Sequence, residues 1–123
     1  MKTGIVNSSS FGKYFPEHLE RLSHLGEWER FKVDKNIDGE SLAKELQGVN
    51  FIIASVTPNY TKEFFEENKD ICLIARHGIG VNNVEIESAT EAGVLVTRVP
   101  GDMERDAVAE HTLALLLQVT RKI

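Results

Sequence analysis

Two glycines separated by one residue follow an apolar run, and their backbone amides could bind an anion. The run Ile71–Ala75 predicts a buried strand, and Gly78-Ile79-Gly80 follows it after Arg76 and His77. Glycines let the chain turn so that its N–H groups point toward a ligand, and the start of a following helix would add partial positive charge. A carboxylate or phosphate would fit such a turn. A tight turn without a ligand has the same pattern.

A second candidate loop, Asn7-Ser8-Ser9-Ser10-Phe11-Gly12, follows the first predicted strand. It could imitate the phosphate loop of a free-standing, flavodoxin-like module that binds a flavin or another anion. Tyr60 is the only obvious aromatic side chain that could stack on a flavin ring. A solvated turn is the plainer interpretation. No acidic cluster follows this strand, which argues against a phosphorelay receiver.

The composition is that of one globular domain, with 123 residues, 41% hydrophobic and 27% charged. The net charge is −5 without a basic cluster, so neither nucleic acid nor a membrane is expected as partner. The longest apolar run, Leu113 to Leu117, is too short to span a bilayer, and no signal peptide is visible. We therefore expect a cytoplasmic protein. Cys72 lies in an apolar run and is predicted to be a buried, reduced thiol.

Apolar runs alternate with helix-like segments along the chain. Strands are predicted near residues 3–7, 27–33, 51–55, 71–75 and 94–97. The first two helices are predicted to start at about Phe15 and near Asp38, and the third to follow Thr61 as its N-cap. A fourth helix is predicted to start at an Asn82/Glu85 capping box and to end before Gly93. This alternation predicts an α/β fold, a flavodoxin-like three-layer sandwich with a five-stranded parallel sheet. Ligands of such sheets bind outside the carboxyl ends of the strands, where both candidate loops lie.

A last helix is predicted from about Met103 to the end of the chain. Leu113 to Leu117 cover every direction around its axis, so it needs cover from another domain or subunit. It reaches Ile123 without a glycine cap, a proline or a polar tail, and we expect the helix to be cut there in mid-pattern. The predicted organisation is a substrate domain over residues 1–101 and an inter-domain or dimerisation helix over residues 102–123.

Several motifs in the second half resemble the D-isomer-specific 2-hydroxyacid dehydrogenase family. In order, they are Leu73-Ile74-Ala75-Arg76-His77-Gly78-Ile79-Gly80-Val81-Asn82-Asn83-Val84, Ala89-Thr90-Glu91-Ala92-Gly93-Val94-Leu95-Val96-Thr97, Val99-Pro100-Gly101 and Ala107-Val108-Ala109-Glu110-His111-Thr112-Leu113-Ala114-Leu115-Leu116-Leu117. Residues 1–70 fit the family's first elements by pattern, without a sharp motif.

The resemblance implies the substrate domain of an NAD- or NADP-dependent enzyme that interconverts a small D-2-hydroxy acid and its 2-keto acid by hydride transfer. It implies that the Ile79 and Gly80 amides receive the substrate carboxylate. Gly78, His77 and Ser55 complete the candidate substrate-binding residues. The long helix, Ala107–Ile123, would cross to a Rossmann domain and form a homodimer.

The chain also departs from the family pattern. It holds no G-x-G-x-x-G after a strand, so no cofactor is expected on these residues. The family's catalytic arginine, glutamate and histidine would lie beyond Ile123, and no catalytic residue is nominated here. Asn82 replaces the usual aspartate, and Asp102–Asp106 is longer than usual and lacks an asparagine. The third strand is followed by Ser55-Val56-Thr57 without an arginine, which favours an unphosphorylated substrate.

Overall fold

A computed structural model describes all 123 residues as an α/β domain with one long helix at its end. The elements, in order, are β1 (Lys2–Val6), α1 (Glu17–Leu25), β2 (Glu27–Phe31), α2 (Gly39–Glu45), β3 (Phe51–Ala54), α3 (Lys62–Glu67), β4 (Leu73–Arg76), α4 (Ile86–Glu91), β5 (Leu95–Thr97) and α5 (Arg105–Arg121). All five strands are parallel, in the order β2-β1-β3-β4-β5. The predicted α/β class and flavodoxin-like parallel sheet are confirmed.

One face of the sheet carries the hydrophobic core. Ile52 and Ile74 lie side by side in the sheet register and are both 0% exposed. They pack in one cluster with apolar side chains of α2 and α3, among them Leu42 and Phe64. Successive strand residues point to opposite faces, so Ile53, which lies outside this cluster, belongs to the other face. Leu42, Leu46 and Val49, in and just after α2, are all 0% exposed.

The opposite face loses its cover from one edge of the sheet to the other. Thr3, Phe51, Leu73 and Leu95 form one register row across β1, β3, β4 and β5. Thr3 is 5% exposed, Phe51 and Leu73 are half-buried, and Leu95 is 63% exposed. Helix α1 packs against β2, at the far edge from Leu95, and none of its own residues is buried. Ile53 of β3, on this same face, is still buried at 8% exposed, so the cover is lost toward β4 and β5.

Three local predictions were wrong. Helix α4 begins at Ile86, and no side chain caps it, so the Asn82/Glu85 capping box does not form. Thr61 stands at the N-cap of α3, but its side chain makes no capping hydrogen bond. Cys72, predicted to be buried, is exposed and lies just before β4, which begins at Leu73.

Helix α5 has no cover from the rest of the chain. It spans 17 residues, and every one of them is exposed. The exposed apolar side chains include Val108, Leu113, Leu115, Leu116, Leu117 and Val119. The expectation that this helix presents an apolar surface on several sides agrees with its complete exposure.

Candidate functional site

The turn after β4 is shaped by Gly78 and by the side chain of Arg76. Gly78 has φ +150°, and a Cβ placed on it would lie 2.6 Å from Nη1 of Arg76. The guanidinium therefore lies directly against the backbone of this residue, and it donates a hydrogen bond to the His77 carbonyl. The positive φ favours glycine at residue 78, whatever binds nearby, while the long Arg76 side chain could move away from a Cβ.

The next two residues leave their amides free. Neither the Ile79 nor the Gly80 N–H donates a hydrogen bond to any group of the chain. Gly80 does not have a left-handed φ, and a Cβ on it would meet nothing closer than Oδ1 of Asn82 at 3.9 Å. The fold itself thus does not require glycine at residue 80. A ligand that approaches the backbone closely would require it.

Positive charge at this turn comes from Arg76 and not from a helix. The short helix α4 begins only at Ile86, after a non-helical stretch, so its N-terminus does not follow Gly80 directly as expected. Arg76 forms no ion pair with any carboxylate, and its Nε is buried without a partner. An uncompensated guanidinium favours an anion near the turn. Its role is not visible in the sequence, because only the fold shows that it lies against Gly78.

Asn83 ties the turn to the loop after β3. Its side-chain amide donates to the Ser55 carbonyl at 3.0 Å and to the Pro58 carbonyl at 2.9 Å, and its own carbonyl accepts from the Tyr60 amide at 2.7 Å. The Thr57–Pro58 peptide between these contacts is cis. The sequence predicts no role of its own for Asn83. In the structure it holds Ser55, one of the nominated residues, in the loop joined to the turn.

His77 lies between the glycine turn and the loop Asn7–Gly12, the serine loop. Its amide donates to the Ala54 carbonyl at 2.9 Å, and its exposed ring meets the ring of Phe11 edge-on, with 5.4 Å between centroids. The structure thus brings the nominated residues to one edge of the sheet. Gly78 allows the backbone to turn, and the free amides of Ile79 and Gly80 are the groups that can donate hydrogen bonds to a ligand.

The turn lies at the edge of the domain. A cavity of about 620 Å³ beside β5 is lined by Val81, Leu95 and Arg98, but not by Ile79 or Gly80. A ligand on the two free amides would thus lie outside this cavity.

The structure also bears on the alternative functions. Tyr60 is 0% exposed and packs edge-on against Phe64, so its ring cannot stack on a flavin. Burial also raises the pKa of its phenol, against the opposing effect of the Arg76 charge, so the hydroxyl stays protonated.

No cluster of three or more His, Cys, Asp or Glu side chains is arranged to hold a metal. None of the five helices combines the length and the hydropathy of a membrane-spanning segment.

Comparison with known proteins identifies the family. The model of the D-isomer specific 2-hydroxyacid dehydrogenase catalytic domain matches residues 8–121. The chain therefore belongs to the D-isomer-specific 2-hydroxyacid dehydrogenases, a family of oxidoreductases, and the resemblance seen in its motifs is confirmed.

Individual relatives are similar over most of this chain. A glyoxylate reductase of Thermococcus litoralis is 32% identical over 112 residues, which cover 90% of this chain and 34% of the relative. A D-3-phosphoglycerate dehydrogenase of Methanocaldococcus jannaschii is 29% identical, over 88% of this chain and 20% of the relative. The apo structure of an Escherichia coli D-lactate dehydrogenase superposes with a TM-score of 0.78 at 27% identity, over 99% of this chain and 38% of the other. The chain spans only a fifth to about two fifths of the length of these relatives.

Proposed function

We propose that these residues form the substrate-binding part of an enzyme that interconverts a small D-2-hydroxy acid and its 2-keto acid. The observation that carries the proposal is the pair of free amides at Ile79 and Gly80, next to the unpaired guanidinium of Arg76. A carboxylate on the two amides accepts two charge-assisted hydrogen bonds, each worth about 1.5–3 kcal/mol. Ser55 and His77 would contact the rest of the substrate.

The substrate that we propose is small and unphosphorylated. The loop after β3 reads Ser55-Val56-Thr57 and offers no guanidinium to a phosphate group. Glyoxylate, the compound named in the similar archaeal reductases, is a suitable probe of this class.

The nicotinamide cofactor, NAD or NADP, does not fit these residues. After Gly78-Ile79-Gly80 the chain continues with Val81, Asn82 and Asn83, and it lacks the third glycine that lets the following helix pack closely against the strand in a dinucleotide-binding turn. We therefore assign cofactor binding and hydride transfer to a Rossmann domain outside residues 1–123. We expect these residues alone to bind the keto acid without turning it over.

We further propose that the helix Ala107–Ile123 forms a homodimer contact. Five large apolar side chains between Leu113 and Val119 are 48–76% exposed, and so much exposed apolar surface on one helix is uncommon on monomers. A second copy of the chain would bury them.

Titration with glyoxylate tests the substrate site. In ¹⁵N-labelled protein, the Ile79 and Gly80 amide signals should shift and saturate with a dissociation constant in about the millimolar range. Binding should be weak because these residues contact only part of the substrate. Methyl glyoxylate, which lacks the carboxylate charge, should leave them unchanged.

Gly80→Ala should weaken glyoxylate binding at least about 5-fold, because the added methyl group stands where the carboxylate approaches. The fold should survive, since the new Cβ has free space. Gly101→Ala is the matched control, because its Cβ would also meet nothing closer than 3.9 Å. Equal affinities for Gly80→Ala and the unmodified protein, or no shift at either amide, would refute the site.

A further inference from the structure

A cavity of about 460 Å³ lies at the carboxyl ends of β1, β2 and β3, away from the proposed substrate turn. Asn7 and Thr57 line it and are joined by a 3.2 Å hydrogen bond between their side chains. In the strand order found here, chain connections diverge to opposite sides between β1 and β3, and doubly wound sheets bind ligands at such a point.

The serine loop presents unsatisfied donors to this cavity. Ser8 and Ser9 line it, and neither amide donates a hydrogen bond within the chain. Asn7 holds the start of the loop in a left-handed conformation with φ 51°, and its side chain makes two hydrogen bonds with the Val33 backbone. Consecutive free amides after such a residue form the concave backbone arrangement that binds oxyanions.

Three cations line the same cavity, and no acidic side chain does. Arg30 donates to the carbonyls of Ser8 at 2.9 Å and Phe11 at 2.7 Å, so it fixes the loop while its charge stays uncompensated. Lys32 and Lys35 take part in none of the ion pairs and in no side-chain hydrogen bond. This concentration of positive charge contrasts with the net charge of −5 of the chain.

We propose that this cavity binds a phosphate group, either free phosphate or the phosphate of a small ester. A phosphate carries close to two negative charges and three acceptor oxygens, which match two amides and three cations better than a carboxylate does. The cavity includes neither Ile79 nor Gly80, although Thr57, which lines it, lies in the same loop as Ser55, and the proposal does not depend on the function proposed for the two amides. The ring contact between Phe11 and His77 links the two loops.

Titration of the ¹⁵N-labelled protein with inorganic phosphate, and separately with glycerol 3-phosphate, tests the proposal at constant ionic strength. Saturable shifts at the Ser8 and Ser9 amides are expected with at least one of them, and the tighter ligand identifies the source of the phosphate. Shifts that do not saturate, or that occur only at Ile79 and Gly80, would overturn the proposal.

The double variant Lys32→Gln, Lys35→Gln removes two charges but no hydrogen bond of the serine loop. It should weaken phosphate binding about 3- to 10-fold. Lys44→Gln with Lys69→Gln is a charge-matched control, because these lysines line another cavity that also holds Glu67 and Asp70, and each makes a contact within its own helix region, with Glu40 and the Phe65 carbonyl. Equal weakening by both pairs would show a general charge effect and would also overturn the proposal. Glyoxylate shifts at Ile79 and Gly80 report separately on the substrate site.

Discussion

The two faces of the sheet follow different rules, although the same strands build both. On the face under α2 and α3, Ile52 and Ile74 are completely buried, and the chain supplies its own cover. On the other face, burial falls from Thr3 at 5% exposed to Leu95 at 63% exposed, and α5 stands free. The first face is a buried hydrophobic core. The second face and α5 leave large apolar side chains exposed, and the chain spans only part of the length of its relatives.

The comparison can be tested most strongly with two neighbouring residues of β4. Ile74→Ala should lower the free energy of unfolding by about 2–5 kcal/mol, because it leaves a cavity in a fully buried site. Leu73→Ala removes a half-buried side chain from the other face and should cost only about 1–2 kcal/mol. Urea denaturation of both variants measures the difference. Equal costs would mean that the second face is also covered in solution.

The second test asks whether another copy of the chain covers the open region. Replacing Leu115 and Leu116 with Glu should shift the protein toward monomer in sedimentation velocity experiments, because charges do not enter an apolar contact. Gln118→Glu with Thr120→Glu adds the same charge at polar positions of the same helix and should have less effect. An unmodified protein that is monomeric at every concentration would refute self-association through α5.

The sequence predicted the covered face better than the loops around it. Continuous apolar runs such as Phe51–Ala54 identify strands buried on both sides, and the glycines of residues 78–80 identify the turn. The start of α4 was missed because distant partners decide it. The Asn83 amide bonds the loop after β3, and the Glu85 carboxylate accepts from the Lys62 amide at 2.7 Å. Local spacing suggested a capping box, whereas these contacts span more than twenty residues.

Cys72 and Arg76 show the same limit at the two ends of β4. Cys72 lies in an apolar run, but the strand begins after it and its side chain is exposed. The sequence predicts no role for Arg76, yet its guanidinium lies against Gly78 beside the free amides. A one-residue shift at a strand end, or the path of one long side chain, depends on packing that a sequence pattern does not contain.

The smallest expected change in the free energy of unfolding comes from the N-cap of α2, the helix that packs on the core face of the sheet. Asp38 caps α2, and its carboxylate accepts from the Ser41 amide and hydroxyl, both at 2.8 Å. These bonds hold the pKa of Asp38 below its ordinary value of 3.8, with the Ser41 amide as the main cause. A lowered pKa in the folded state means that the carboxylate stabilises the fold above its unfolded pKa. That contribution should disappear as the pH falls from near 4 through the lower folded pKa.

Asp38→Asn keeps a side-chain acceptor for the cap but removes the titration. The free energy of unfolding of the unmodified protein should therefore exceed that of Asp38→Asn slightly at pH 6, and the difference should shrink below pH 4. Urea denaturation at several pH values between these limits and pH 2.5 measures it. A difference that stays constant over this range would show that the charge of Asp38 contributes nothing to the cap. The cap would then stabilise α2 through its hydrogen bonds with Ser41, without a contribution from the charge.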